Sequence, residues 1–539
     1  MKIFIINILV FVIGVCNYSF SQVNLTKSNL PIIKINTLGA SIPDEPKITA
    51  DLKIIDNGPG KDNHINDPAL GYDGKIGIEL RGSTSQGFPK KPYGFETLDA
   101  NGEDNDVVLL GMPKESDWTL NATYNDKTLM RDALAYIFAG SIMEYGPRVR
   151  YTELMLNNQY QGVYLLIEKI KRDKNRVNIP KMEATDISGD ALTGGYIIKL
   201  DKETGSNSGL GWHSKYAPFP GSFNRPFFQY EYPSGTNITN EQKTYIKKHI
   251  DNIENVLSGP GYKDPINGFR KYIDTKTLID FIIVNEITKN PDAYRLSTYF
   301  YKERDSDGGK IKFGPVWDFN LGLGNVDYCT QGNTEGLVIT NFNLVCPNDG
   351  WVVHFWWKKF LDDKEFYSEL KERWKSHRQN QFSDQRITTL VDSLSNLVGQ
   401  AQVRNFQRWP ILGQYIWPNY YVGQTYDEEV KYLKDWLMKR VKFLDKEWEL
   451  KDSSINETGN LISNIYPNPV NDVLVFSVKL NSKTPKFTFY NAIGQLINLD
   501  SKIISESEIH VDFSKIPPGI YVGKLNFNDE IQAFKVIKN

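Results

Sequence analysis

The chain has 539 residues, too many for one ordinary domain, so two or more are expected. Apolar residues make up 40% and charged residues 24%, as in globular proteins, and 13% aromatics allow large cores or a few exposed rings that bind sugars. A net charge of −2 gives no electrostatic case for a nucleic-acid or anionic-membrane partner.

Residues 1–21 read as a secretory signal. Lys2 supplies the positive start, Ile3 to Val15 the apolar run, and Ser19-Phe20-Ser21 a small-x-small cleavage site. That run is shorter than the roughly 20 apolar residues a membrane-spanning helix needs. Cys16 follows Val15 rather than a small residue, which argues against a lipoprotein anchor, and no later segment looks transmembrane. An exported mature chain is therefore expected.

From about Leu30 to Asp201 the pattern is strand-rich, in LPIIKINTL, KIGIELRG, KPYGFETL, RYTELMLN, GVYLLIEKI and GGYIIKLD. Glycine and proline crowd Ser206 to Arg225, which reads as a surface loop. Helices dominate after about residue 235, first in NEQKTYIKKHIDNIENVL and DTKTLIDFIIVNEIT. A last helix starts at Thr425, spaced to Glu428 as a capping box, with an apolar stripe of Val430, Leu433, Leu437, Val441, Leu444 and Trp448. Residues 451–460 read as a polar linker, and 461–539 as a small all-β sandwich.

Two aspartates carry the chemistry. Asp292 precedes one β-like run and Asp318 follows another, and a polar turn from Asp305 to Gly309 joins the runs. Such a hairpin can bring both carboxylates to one rim, as a phosphoryl-transfer site requires of a hydroxyl-orienting base and a metal-binding acid. Taken alone, Asp292 after a proline is an ordinary turn or cap residue, and Lys90-Lys91 before a strand is an ordinary solvated edge. Gly82 to Gly87 has P-loop spacing, but Phe88 stands where the lysine must be. Asp305-Ser306-Asp307-Gly308 starts like a calcium loop, but Val316 occupies its twelfth position. Export leaves Cys329 and Cys346, and an even pair closing a short loop in an oxidising compartment is expected to form a disulfide.

A series of words in order resembles the CotH kinase-like family, named for a bacterial spore-coat protein. They are Arg81-Gly82-Ser83-Thr84-Ser85, Pro89-Lys90-Lys91-Pro92-Tyr93 and Leu129-Met130-Arg131-Asp132. Gly162-Val163-Tyr164-Leu165 with Glu168, Gly195-Tyr196 with Asp201, the two aspartate words, Arg408-Trp409-Pro410 and Arg440 complete the series. The resemblance covers residues 30–450 and implies an α+β, atypical protein-kinase-like two-lobed domain that phosphorylates secreted or coat proteins with ATP and Mg²⁺. In that frame Asp292 is the expected catalytic base, and Asp318 a metal ligand with Asn320 and Ser297. Lys90, Lys91, Arg81 and Glu168 are the expected nucleotide-binding residues.

One position departs from the family. Kinase-like loops place Asn five residues after the catalytic Asp, and here that residue is Ser297, a shorter and poorer Mg²⁺ ligand. The alternative is a weak or inactive kinase-like protein that binds a protein or glycan at the cell surface, a reading to which the aromatic patch from Trp417 to Tyr421 also belongs. The tail resembles the C-terminal sorting domain of the type IX secretion system through Tyr466-Pro467-Asn468-Pro469, Leu474, Asn491 to Gln495, Pro518 to Val522 and Lys535. It implies the type IX machinery as a partner, and a secreted or cell-surface product.

Overall fold

The structure is a computed structural model that describes residues 23–204, 210–449, 462–478, 486–491, 495–505, 507–527 and 530–539. The signal expected at 1–21 and the linker expected at 451–460 lie outside these residues. Strands and helices mix as expected, and the chain divides into two units, residues 1–444 and 445–539.

Alternating sequence closes into a barrel in the first unit. Its strands are β1 (Ile32–Asn36), β2 (Ile48–Ile55), β3 (Tyr72–Leu80), β4 (Tyr93–Leu98), β5 (Asp117–Asn121), β6 (Val149–Leu156) and β7 (Gln159–Glu168), in the order β6-β7-β5-β4-β3-β2-β1. The closing pair, β1 with β6, is parallel, with Ile33 opposite Leu154. A period of two sends Ile33, Ile35, Leu52, Ile54, Ile76 and Ile78 inward, where they meet Phe95, Trp118, Leu120 and Leu166. Side chains fill the interior, so the barrel is a scaffold rather than a container.

A second sheet has the order β9-β10-β8-β11-β12, built from β8 (Tyr196–Leu200), β9 (Gly211–His213), β10 (Phe227–Tyr232), β11 (Thr298–Lys302) and β12 (Ile311–Phe313). Three of its strands precede residue 235 and two follow it, so one sheet bridges the strand-rich and helix-rich parts. Strand β9 corrects the expectation of a plain loop from Ser206 to Arg225. Trp212 is buried there against Phe228 and Tyr230, with ring centroids 5.2 and 5.0 Å away. Aromatic packing thus makes a strand that the glycine and proline content hides. The polar turn between β11 and β12 is a single 3-10 turn, Asp305–Asp307, closed by Gly308 at φ 102°.

Helix α1 (Arg131–Ile142) follows the barrel strand β5, and α2 (Asn240–Ser258) starts from a reciprocal Thr239–Gln242 capping box. Helix α3 (Thr275–Thr288) is capped by Asp274 and buried from Thr277 to its end. In the helix Tyr426–Glu447, the Glu428 N–H donates to Thr425 Oγ1, but the Glu428 carboxylate accepts from Gln424 N rather than from Thr425. Leu433, Leu437, Val441 and Leu444 form its buried stripe, as expected, while Val430 is only half-buried.

The second unit has two four-stranded sheets, Ile462–Tyr466, Val473–Val478, Glu508–Asp512 and Ser501–Ser505 in one, and Leu496–Ile497, Lys486–Asn491, Gly519–Phe527 and Glu530–Lys538 in the other. Leu474, Phe476, Phe489, Val511, Leu525 and Val536 form its shared core. In the Tyr-Pro-Asn-Pro word, Asn468 Nδ2 donates to Lys535 O and Asn468 Oδ1 accepts from Ile537 N, tying the first connection to the last strand. Among the described residues no helix is long and apolar enough to cross a membrane.

Arg440 is fully buried and braces the helical part. It donates to Glu286 Oε2 at 2.9 Å, to Glu286 O, and to the carbonyls of Thr334 and Gly336. The Glu286 carboxylate also accepts from Val338 N, Ile339 N and Tyr294 Oη. Removing one partner of such a pair strands a buried charge. Arg440→Leu should lower the unfolding free energy by about 3–5 kcal/mol in denaturant titration, and adding Glu286→Leu should recover part of the loss.

Candidate functional site

The site grows from the end of α3. Lys289 closes the helix at φ 44°, and Asn290 then clips the two aspartate loops together. Asn290 Oδ1 accepts from Asp292 N at 3.1 Å, and Asn290 Nδ2 donates to Asp318 O at 3.1 Å. Strands β11 and β12 pair antiparallel, Phe300 opposite Phe313, so the segments before one and after the other emerge at the same end. Asp318 itself sits at φ 65°, rare for a residue with a side chain. Bonds on both sides hold it there: its N–H donates to Tyr136 Oη, and the Phe319 N–H donates to Asp132 Oδ1 at 2.8 Å.

Asp292, Ser297, Asp318, Arg81 and Asp201 line one cavity of about 480 Å³ between the barrel and the second sheet. Lys199 and Lys202 line it too, as does Glu231. Burial, then the negative charges of Asp292 and Asp201, push the Asp318 carboxyl up to about 7, against the pull of Arg81 and Lys202. Burial also raises Asp292, while Arg295 and Lys202 oppose it. Arg295 Nη2 donates to Asp292 Oδ1 at 2.9 Å and Nη1 to Asp349 Oδ1 at 3.1 Å. Lys199 Nζ lies 3.4 Å from Asp201 and 3.6 Å from Glu231. Burial alone would lower its amine, but Tyr299, Glu231 and Asp201 outweigh that and raise it. Arg81 lies over Trp317, its Cζ 4.9 Å from the ring centroid.

Lys90, Lys91, Glu168 and Asn320 are not among the residues lining this cavity. Lys90 is fully buried, donates to Val163 O and Asn405 Oδ1, and lies over the Tyr164 ring. These contacts turn its amine into the barrel wall away from the cavity, and burial pushes it well below the usual range. Gly162, at φ 101°, makes room for that knot, because a Cβ there would lie 2.4 Å from Asn405 Oδ1. Lys91 Nζ donates to Gln86 O. Glu168 accepts from Arg148 and Tyr145. Asn320 Nδ2 donates to Asn125 Oδ1. Of the nucleotide-side residues named from sequence, only Arg81 is in the cavity, and the remaining cations there are Lys47, Lys169, Lys199 and Lys202. Lys199 was within reach of sequence reasoning: it stands two residues before Asp201, on the same strand face.

Among the described residues no group of three or more His, Cys, Asp or Glu side chains is arranged to hold a metal ion unaided. The hard carboxylate oxygens of Asp318, destabilised by the charge of Asp292, suit Mg²⁺, which takes one or two carboxylates and completes its shell with water and phosphate oxygens. Cys329 and Cys346 form the expected disulfide, with Cα atoms 5.3 Å apart.

A family model described as CotH kinase protein matches residues 78–444, and one described as Secretion system C-terminal sorting domain matches residues 464–539. The sorting tail indicates export to the cell surface or extracellular space. The chain is 21% identical over 317 residues to the Inner spore coat protein H of Bacillus subtilis (strain 168), a match spanning 57% of this chain and 72% of that protein.

The buried acids make a pH prediction. Burial, then Asp318, push Asp132 up to about 8. Between pH 4 and 8 the folded protein keeps a proton that the unfolded chain has released, so stability falls as pH rises through that window. Asp132→Asn should flatten that fall, on the order of 1 kcal/mol per pH unit, in denaturant titrations of metal-free protein.

Proposed function

The chain belongs to the CotH kinase protein family, and we propose that it is an exported kinase-like phosphotransferase moving the γ-phosphate of ATP, with Mg²⁺, to a hydroxyl acceptor outside the cytoplasm. A secreted or surface protein is the acceptor the resemblance implies. The observation that carries this reading is the meeting of Asp292 and Asp318 with Arg81, Lys199 and Lys202 in one cavity. Phosphoryl transfer asks for those parts: acids for metal and hydroxyl, and fixed positive charge for the phosphates.

Asp318 would hold Mg²⁺ together with phosphate oxygens, and the metal would supply charge neutralisation on the transferring group. Asp292 would accept a hydrogen bond from the acceptor hydroxyl, aim it, and take its proton. Lys199, kept charged by Asp201 and Glu231, and Arg81, braced on Trp317, would face the phosphates without reorganising. In this reading the barrel and the sheet-and-helix part act as the two lobes of a kinase-like fold, with the cavity between them.

A second reading is a binding protein with little or no turnover. It draws on Ser297 in the cavity and on the Arg295–Asp292 ion pair, which ties the expected base to a neighbouring cation. Calorimetry and phosphate transfer separate the two. Asp318→Ala should abolish Mg²⁺-dependent ATP binding, and Asp292→Asn should keep binding but slow turnover by about 10²–10⁴-fold. Ser297→Asn should raise turnover. Absence of ATP binding with Mg²⁺, Mn²⁺ and Ca²⁺ alike would leave the binding reading alone standing.

A further inference from the structure

Asp292 lies where two cavities meet. Besides the charged one, it lines a trough of about 620 Å³ on its other side, and the two share Lys202, Asp292 and Leu296. The trough is different in kind. Much of its wall is aromatic and apolar: Tyr328 stacks on Trp417 at 6.3 Å and 16°, and Trp351, Leu321 and Val345 line it too. Trp417 and Trp351 are 49% and 44% exposed, so each still offers ring surface to a ligand although Tyr328 stacks on the first and Lys202 lies over the second, 4.9 Å from its centroid. Its charges cancel, two cations (Lys202, Arg295) against two carboxylates (Asp292, Asp349), and Arg295 binds both acids. Cys329 and Cys346 are both in the wall, so their disulfide fixes the loops that carry Tyr328 and Asp349. Past Trp351 a further cavity of about 490 Å³ continues to Phe223, which is fully exposed.

Resting on the phosphotransfer reading above, we propose that this trough is the acceptor subsite and that it takes a neutral saccharide. A charged peptide would find no net charge to recognise. A peptide that adds to a sheet would need an edge, and neither edge strand, β9 or β12, lines the trough. Flat exposed rings beside an amide and a carboxylate, Asn348 and Asp349, suit a sugar: the rings cover its apolar C–H face and the polar groups meet its hydroxyls. Trp351 lines both this trough and the cavity that Phe223 lines, so the aromatic surface continues from one into the other. In the transfer, the sugar hydroxyl oxygen forms a bond to the γ-phosphorus as the bond from that phosphorus to the β,γ-bridging oxygen breaks. ADP leaves with the electron pair, and the hydroxyl proton goes to Asp292.

The test uses the mature exported chain with its disulfide, radiolabelled ATP and Mg²⁺, and two sets of acceptors. One set is the neutral hexasaccharides of cellulose, xylan and starch type, and the other is a serine-rich peptide. Phosphate should appear on a saccharide. Trp417→Ala and Trp351→Ala should each raise its KM at least tenfold with the ATP Kd unchanged, and Trp417→Phe should restore it. If ATP binds but no saccharide accepts phosphate, or if the tryptophan variants impair only the peptide, the acceptor assignment falls and the phosphotransfer reading survives. If ATP does not bind at all, both fall together.

Discussion

Two carboxylates held in one shielded cavity repel each other, and much of the first unit serves to keep them there. Burial raises both above the usual carboxylate range, helped at Asp318 by the charges of Asp292 and Asp201 and at Asp292 by those of Asp201 and Asp349. The backbone resists the separation this favours. Asn290 bonds to both loops, Asp132 and Tyr136 hold the strained turn at Asp318, and Arg295 pins Asp292. An arrangement that strains its backbone and raises its own acids is a common mark of a functional site. A cation bound at Asp318 would relieve the repulsion on that carboxylate, and the neighbouring basic side chains suit a polyanion beside it.

The family words divide into two kinds. Arg81, Asp201, Asp292 and Asp318 line the cavity. Others build what surrounds it. Lys90, Gly162 and Asn405 form one buried knot on the barrel, and Arg408 and Trp409 donate to the carbonyls of Tyr160 and Gln161. Arg131 pairs with Asp126 at 2.6 Å and reaches Leu323 O, while Asp132 steadies the residue after Asp318. Arg440 gathers the helical part around Glu286. A motif that recurs near a site therefore does not have to touch the ligand.

That division explains what could be read from sequence. The barrel strands, the hairpin that joins the aspartates, the capped helices, the disulfide pair and the all-β tail follow from periodicity, turn chemistry and cysteine count. The placement of Lys90, Lys91 and Glu168 outside the cavity did not follow. Lys90 sits after a Gly/Ser/Thr loop, and nothing local tells that its amine turns inward to Val163 and Asn405, residues far along the chain. Glu168 ends a strand where either face of a closed barrel is open to it, and contact with Arg148 decides the matter. Strand β9 is hidden for a different reason: it is three residues long, and Trp212 is held by rings of β10, the strand it pairs with.

The most direct test of the central claim is a crystal structure of the mature protein with Mg²⁺ and a non-hydrolysable ATP analogue. The account predicts the metal on Asp318 and the triphosphate among Arg81, Lys199 and Lys202, with Asp292 facing the γ-phosphate from the aromatic side. A triphosphate bound elsewhere, or a cavity that excludes it while Arg295 keeps Asp292 closed, would contradict it.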